Sequence, residues 1–381
     1  MASVSAAVFD ELESEERDDS SLRLLVHTSL PLPAAMDRVV EAVVAAWSAY
    51  DGVQLPRYQS FVAPAPAGPV LWIPDSWDLA ERLPGLIEAL DRGGVSDAQL
   101  RLFDQVNPQV IDVSRPVDLL ECRLAVRARQ VEPQPGYAVA YWHIQEDIQE
   151  ALIALAADWC LALSAASLTA YVDTGMVSAR VPTDRVTDLL RVAVETVFGD
   201  GPAGGLHVRL FVESGSAFRM AVLSFESAHM SLVDGSTRRS DLHWAQSLAA
   251  FHTAIIDAAP FTVRGMVKRG TQWAYVGDRT LRDDWVPIPH QRAWAPTLPY
   301  EPWGPEIQRA TESRYLLDAF GVVVVPEADP VPTARGWTAT PVGPVTLVQH
   351  DDLDAWFAEQ RPDPAVLADA REDLRILLPP Q

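Results

Sequence analysis

Short apolar runs alternate along the chain with stretches in which apolar residues recur every third or fourth position. This pattern predicts strands alternating with amphipathic helices. Residues 22–27 read as a strand. Residues 34–47 read as a helix, because Met36, Val39, Val40, Val43, Val44 and Trp47 fall on one face. A strand over 58–62 and a Pro/Gly/Ala turn over 63–68 lead to a further strand over 70–73.

The pattern then recurs. Residues 70–73 end at Pro74, and a helix follows with Leu79, Leu83, Leu86, Ile87 and Leu90 on one side. Residues 178–181 end at Pro182, and a helix follows with Val186, Leu189, Leu190, Ala193, Val194 and Val197. Proline suits the start of a helix, where its missing N–H would have no partner. Each helix closes on a glycine stretch, Gly93-Gly94 or Gly199-Asp200-Gly201. Strands follow at matching spacing, 100–103 against 208–211 and 123–126 against 219–222. A second helix and a closing strand complete each copy. Each copy reads β-α-β-β-α-β.

The expected fold is therefore α+β, with tandem ferredoxin-like (βαββαβ) units built on antiparallel sheets. The expected divisions are an acidic flexible tail (1–21), a β-α-β half-unit (22–69), a first unit (70–175) and a second unit (176–270). A Trp/Pro-rich extended arm (271–305) and a partial C-terminal α/β unit (306–381) follow. Proline at the density of the arm forbids helix and central strand.

Charge narrows the partners. The formal net charge of the 381 residues is −22. That sign repels phosphate backbones and anionic membrane surfaces, so neither nucleic acid nor membrane is expected, whereas a basic protein partner is permitted. Lys268 is the sole lysine, so lysine-based covalent chemistry would have to use it. An arginine bias of this strength is what a GC-rich genome produces. Two cysteines, Cys122 and Cys160, in apolar runs predict buried free thiols rather than a disulfide framework. No secretory pattern opens the chain and no apolar run approaches a membrane span, so a reducing cytoplasm is the expected location.

The chemistry-bearing residues do not assemble into a motif. The eight histidines form no HExxH, HxH or Cys-His cluster, and no metal site or cofactor is expected. His27-Thr28-Ser29 resembles one H-x-S/T motif of the two-histidine phosphoesterases. The second motif those enzymes need has only His207-Val208-Arg209 to match it, which lacks the hydroxyl and lies on a non-equivalent strand. No nucleotide-binding loop is present, since the glycines at 199–205 follow a helix rather than open one. Ser214-Gly215-Ser216 reads as a hairpin turn. Glu146-Asp147 and Asp351-Asp352-Asp354 suit helix starts, where negative charge is stabilised by the backbone dipole.

These absences predict a non-catalytic protein-binding protein, such as an immunity or antitoxin-type neutraliser or an assembly adaptor. Its binding residues would be Trp285, Trp294, Tyr300 and Trp303 on the arm, with Arg101 and Arg209 at matched repeat positions. One alternative is an enzyme or small-molecule binder with a site in a cleft between the repeats, drawing on His27, His143, Asp158 and His252. Another is a structural subunit of a larger assembly.

Overall fold

The computed structural model describes residues 1–13, 22–52, 61–73, 79–104, 118–131, 141–164, 167–175, 177–198, 207–224, 228–238, 243–270, 319–332, 335–357 and 362–378. The chain divides into two compact units, one formed by residues 1–107 and 169–208 and the other by 108–168 and 209–381.

The first unit opens with β1 (Ser3–Val4) and α1 (Ala6–Glu13), continues through β2 (Leu22–His27), α2 (Leu32–Asp51), β3 (Val62–Ala65) and β4 (Gly68–Ile73), and then α3 (Leu79–Arg92) and β5 (Gln99–Leu102). The second unit begins with β6 (Asp118–Val126), the short pair β7 (Arg129–Val131) and β8 (Tyr141–His143), and α4 (Glu146–Leu161). The chain returns to the first unit for β9 (Thr169–Asp173), β10 (Ser178–Val181) and α5 (Val186–Phe198). It then forms β11 (His207–Ser214), β12 (Ala217–Ser224), β13 (His229–Ser236), α6 (Trp244–Ala258) and β14 (Thr262–Gly270). The C-terminal part supplies β15 (Val322–Pro326), β16 (Trp337–Val342), β17 (Val345–His350), α7 (Leu353–Phe357) and α8 (Pro364–Asp373).

The fold is mixed α+β with predominantly antiparallel sheets. In the first unit the strand order is β1-β5-β2-β4-β3, with β1 parallel to β5 and the remaining neighbours antiparallel. Helix α2 presents Met36, Val39, Val40 and Val43 to a core that includes Leu24, Val26, Leu71, Leu86, Leu90 and Leu100. The i, i+3, i+4, i+7 spacing of the α2 residues is what places them on one stripe. Gly52, at φ +68°, closes α2 in the left-handed conformation. The tight hairpin between β3 and β4 depends on Gly68, where a Cβ would come within 2.7 Å of the Val26 carbonyl oxygen.

In the second unit the sheet runs β11-β12-β13-β6-β14-β15-β17-β16. β6 lies between β13 and β14, antiparallel to both, and all but one of its nine residues are buried. One face carries α4 and α6. There Trp159 stacks on Phe251 with ring centroids 4.6 Å apart, and its Nε1 donates to the Val233 carbonyl at 3.1 Å. Arg219 lies over the Trp159 ring at 4.4 Å and pairs with Asp234.

Four placements differ from the sequence expectations. Residues 70–175 send β4 and β5 to the first sheet and β6 to the second, and the boundary at 69/70 falls inside β4. A continuous β-α-β-β-α-β order runs instead from β2 to β5, with α2 and α3 as its helices. Residues 176–270 are likewise divided, with β10 and α5 in the first unit and an additional strand, β13, in the second. Short apolar strands with Pro and Gly at their ends look alike wherever they occur, and which of them pair is settled by contacts distant in sequence. The first residues of the chain are not a free tail, because Ala2 and Val8 are buried and β1 pairs with β5. The C-terminal strands extend the sheet of the second unit through β14 and β15 rather than forming a separate layer. The arm over 271–305 lies outside the described residues.

Candidate functional site

The residues selected from sequence are dispersed. His27 is exposed at the end of β2, and His143 is exposed at the end of β8. Asp158 is exposed on α4. His252 is partly exposed on α6; burial lowers its pKa, and a hydrogen bond with Gln349 partly offsets this. Among the described residues no hydrogen bond or ion pair joins any two of these four, and no three His, Cys, Asp or Glu side chains converge as metal ligands.

Arg101 and Arg209 do not share an open face. Arg101 is exposed on β5 and donates from Nε to Gln99 at 2.8 Å, whereas Arg209 is buried on β11 in the other unit. Trp285, Trp294, Tyr300 and Trp303 lie outside the described residues. The His27-Thr28-Ser29 segment is a capped turn. The Thr28 hydroxyl and the Ser29 N–H donate to Asp97 at 2.9 and 2.7 Å, and these bonds, those from Ser29 foremost, hold the Asp97 carboxyl down at about 2.

The densest group of ionisable side chains was not selected from sequence. It lies on the face of the second sheet opposite α4 and α6. Strand registers set Glu121 between Val233 and Lys268, Arg123 between Ser231 and Met266, and Ala125 between His229 and Arg264. Cross-strand neighbours share a face, so Glu121, Arg123, His229, Ser231, Arg264 and Lys268 all project to the same side. The Glu121 carboxylate accepts from Arg123 Nε at 2.6 Å and lies 3.3 Å from Lys268 Nζ. All three side chains are buried. Arg264 pairs with Asp329, and on the opposite face Arg269 grips Asp118 through two nitrogens at 3.1 and 2.6 Å.

Burial by itself would raise the Glu121 carboxyl, but the Arg123 and Lys268 charges outweigh it and hold the group at about 2. His229 is also lowered, which in its case favours the neutral form. Burial and the Arg123 charge lower it to about 4, against the pull of Glu121. Both thiols are pushed far up by burial, so neither Cys122 nor Cys160 is a ready nucleophile.

The cluster is held together by ion pairs centred on Glu121. Lys268 Nζ faces the Glu121 carboxylate and is buried with it. A signal for the cluster is present in the sequence: Glu121 and Arg123 stand two apart within one apolar run, and Arg264 and Lys268 stand four apart in another, the even spacing that keeps them on one face of a strand.

His229 makes the cluster sensitive to acid. The unfolded chain takes up this proton near pH 6.5, and the folded chain only near pH 4. Stability therefore falls as pH drops through that window. Urea unfolding at pH 7 and pH 5 is expected to differ by about 2 kcal/mol, and His229→Gln should remove most of the difference. Equal pH dependence in wild type and variant would refute this role of His229.

No protein-family model matches the chain, and no curated protein matches it. Among solved structures, the Pseudomonas aeruginosa T6SS protein PA0821 is similar over 69% of this chain and 74% of its own, at 12% identity and a TM-score of 0.38. A likeness of that size carries no inference about activity.

Proposed function

We propose that the chain is a non-catalytic protein-binding protein whose partner is basic, in the manner of an immunity or antitoxin-type neutraliser or an assembly adaptor. One observation carries this reading. Among the described residues the buried charged side chains are four cations, Arg123, Arg209, Arg264 and Lys268, and two carboxylates, Asp118 and Glu121. Their burial leaves the rest of the chain more acidic than its net charge of −22. A field of that sign speeds encounter with a cationic surface and slows it with an acidic one. Trp285, Trp294, Tyr300 and Trp303 are retained as proposed docking aromatics, and a cytoplasmic location as the proposed setting. Residues 22–102 we read as a ferredoxin-like unit, because the order β5-β2-β4-β3 is that of a split βαβ sheet.

The test is capture from the native host with the full chain as bait, followed by association kinetics with the purified partner. A basic partner is expected, with a rate constant that falls about tenfold or more between low and physiological ionic strength. A bait that stays alone in repeated captures, or a partner whose association is indifferent to salt, would count decisively against the proposal. No helix of the described residues is long and apolar enough to cross a membrane.

A further inference from the structure

β16 is the last strand of the second sheet, and among the described strands its one neighbour is β17. Thr338, Ala339, Thr340 and Pro341 are all exposed. The Asp351 N–H donates to the Gly336 carbonyl at 2.8 Å, which fixes the alternation of the ladder. Gly336, Thr338, Thr340 and Val342 turn their backbone groups toward β17, and Trp337, Ala339 and Pro341 turn theirs outward. The outward row consists of the N–H groups of Trp337 and Ala339 and the carbonyls of Trp337, Ala339 and Pro341.

Edge strands are ordinarily protected by charged side chains, proline or a bulge. β16 carries no charged side chain, and Pro341 protects only its far end. The open end is already ordered. The Trp337 ring packs edge-on against His350 at 5.0 Å, and its Nε1 donates to Asp373 at 3.1 Å. The Thr338 hydroxyl donates to Asp351 at 2.7 Å. Asp351, Asp352 and Asp354 are exposed just beyond β17, against Arg335 just before β16. The edge thus offers an uncharged backbone ladder beside an excess of carboxylates.

We propose that the outer edge of β16 is the docking site for an extended, basic segment of a protein partner, which adds to the sheet as a further strand. This rests on the protein-binding reading and names the surface. Main-chain hydrogen bonds give such a complex its affinity, and side chains alternating along the added strand give it selectivity.

The test uses the full chain and two defined ten-residue peptides, one alternating lysine and valine, the other glutamate and valine, read by amide hydrogen exchange. The lysine peptide is expected to slow exchange at Trp337 and Ala339 about tenfold or more and to leave Thr338 and Thr340, already bonded to β17, unchanged; the glutamate peptide should do neither. Thr340→Lys, which places a like charge on the edge, should abolish the protection. Protection in the wild-type chain tests the proposal without any variant. Absence of protection, equal protection by both peptides, or slow exchange in a free chain that proves dimeric would each overturn the proposal. If the edge fails while a partner is still captured, the protein-binding reading survives; if capture fails as well, both fall.

Discussion

Glu121→Gln is expected to cost about 3–5 kcal/mol of stability, because it removes the carboxylate that compensates two buried cations and leaves both in place. Arg123 and Lys268 are buried on the same face of the central strands, 2.6 and 3.3 Å from that carboxylate. Neither can follow its charge into solvent without opening the sheet. Denaturant unfolding at pH 7 measures the loss. The same experiment with Glu121→Leu, Arg123→Met and Lys268→Met combined should recover much of it, since an apolar set of similar volume has no ions to desolvate. The penalty should also depend on pH. The folded carboxyl is depressed to about 2 from 4.5, so its contribution is complete above pH 4.5 and is lost as pH falls toward about 2. Wild type and Glu121→Gln should therefore converge in acid. A loss below about 1 kcal/mol at pH 7 would show that the ion pairs are not the compensating element.

Trp159→Ala is the second large effect, expected at about 3–5 kcal/mol. The indole joins α4 to α6 by stacking on Phe251, joins α4 to the sheet through the Val233 carbonyl, and carries Arg219 on its other side. Truncation opens a cavity, frees a buried carbonyl and takes away the surface against which Arg219 is held. Trp159→Phe keeps the stack and loses the N–H, so it should cost about 1–3 kcal/mol. Thermal or urea unfolding of both variants separates the two contributions. Equal losses would mean that the hydrogen bond, not the packed ring, dominates.

What the sequence discloses is local. The stripe of Met36, Val39, Val40 and Val43 marks α2 because a helix has to put those positions together. Ser214-Gly215-Ser216 marks a turn, and Gly215 adopts φ +62° between β11 and β12. Asp352 accepts from the Ala355 N–H at 3.0 Å at the start of α7, the capping role its position suggests. Strand pairing is another matter. β6 could have joined β5, which precedes it, yet it lies between β13 and β14. Its partners begin only at His229 and Thr262, and nothing within β6 specifies them. β13 escaped notice because Ser231, Asp234 and Gly235 interrupt its apolar pattern; Gly235 is required there, since a Cβ would fall 2.3 Å from the Phe218 ring. The candidate site is hidden in the sequence for a related reason. Histidines stand out singly in a sequence, whereas the ionisable cluster exists only once three strands lie side by side.

Lys268 has a practical consequence. The sole ε-amine of the chain is enclosed and engaged by Glu121. Amine-directed reagents, and enzymes that attach modifiers to lysine, meet no side-chain target while the sheet is closed. Covalent tagging of that nitrogen becomes a clock for the opening of the β6–β14 pair, readable by mass spectrometry without an engineered probe.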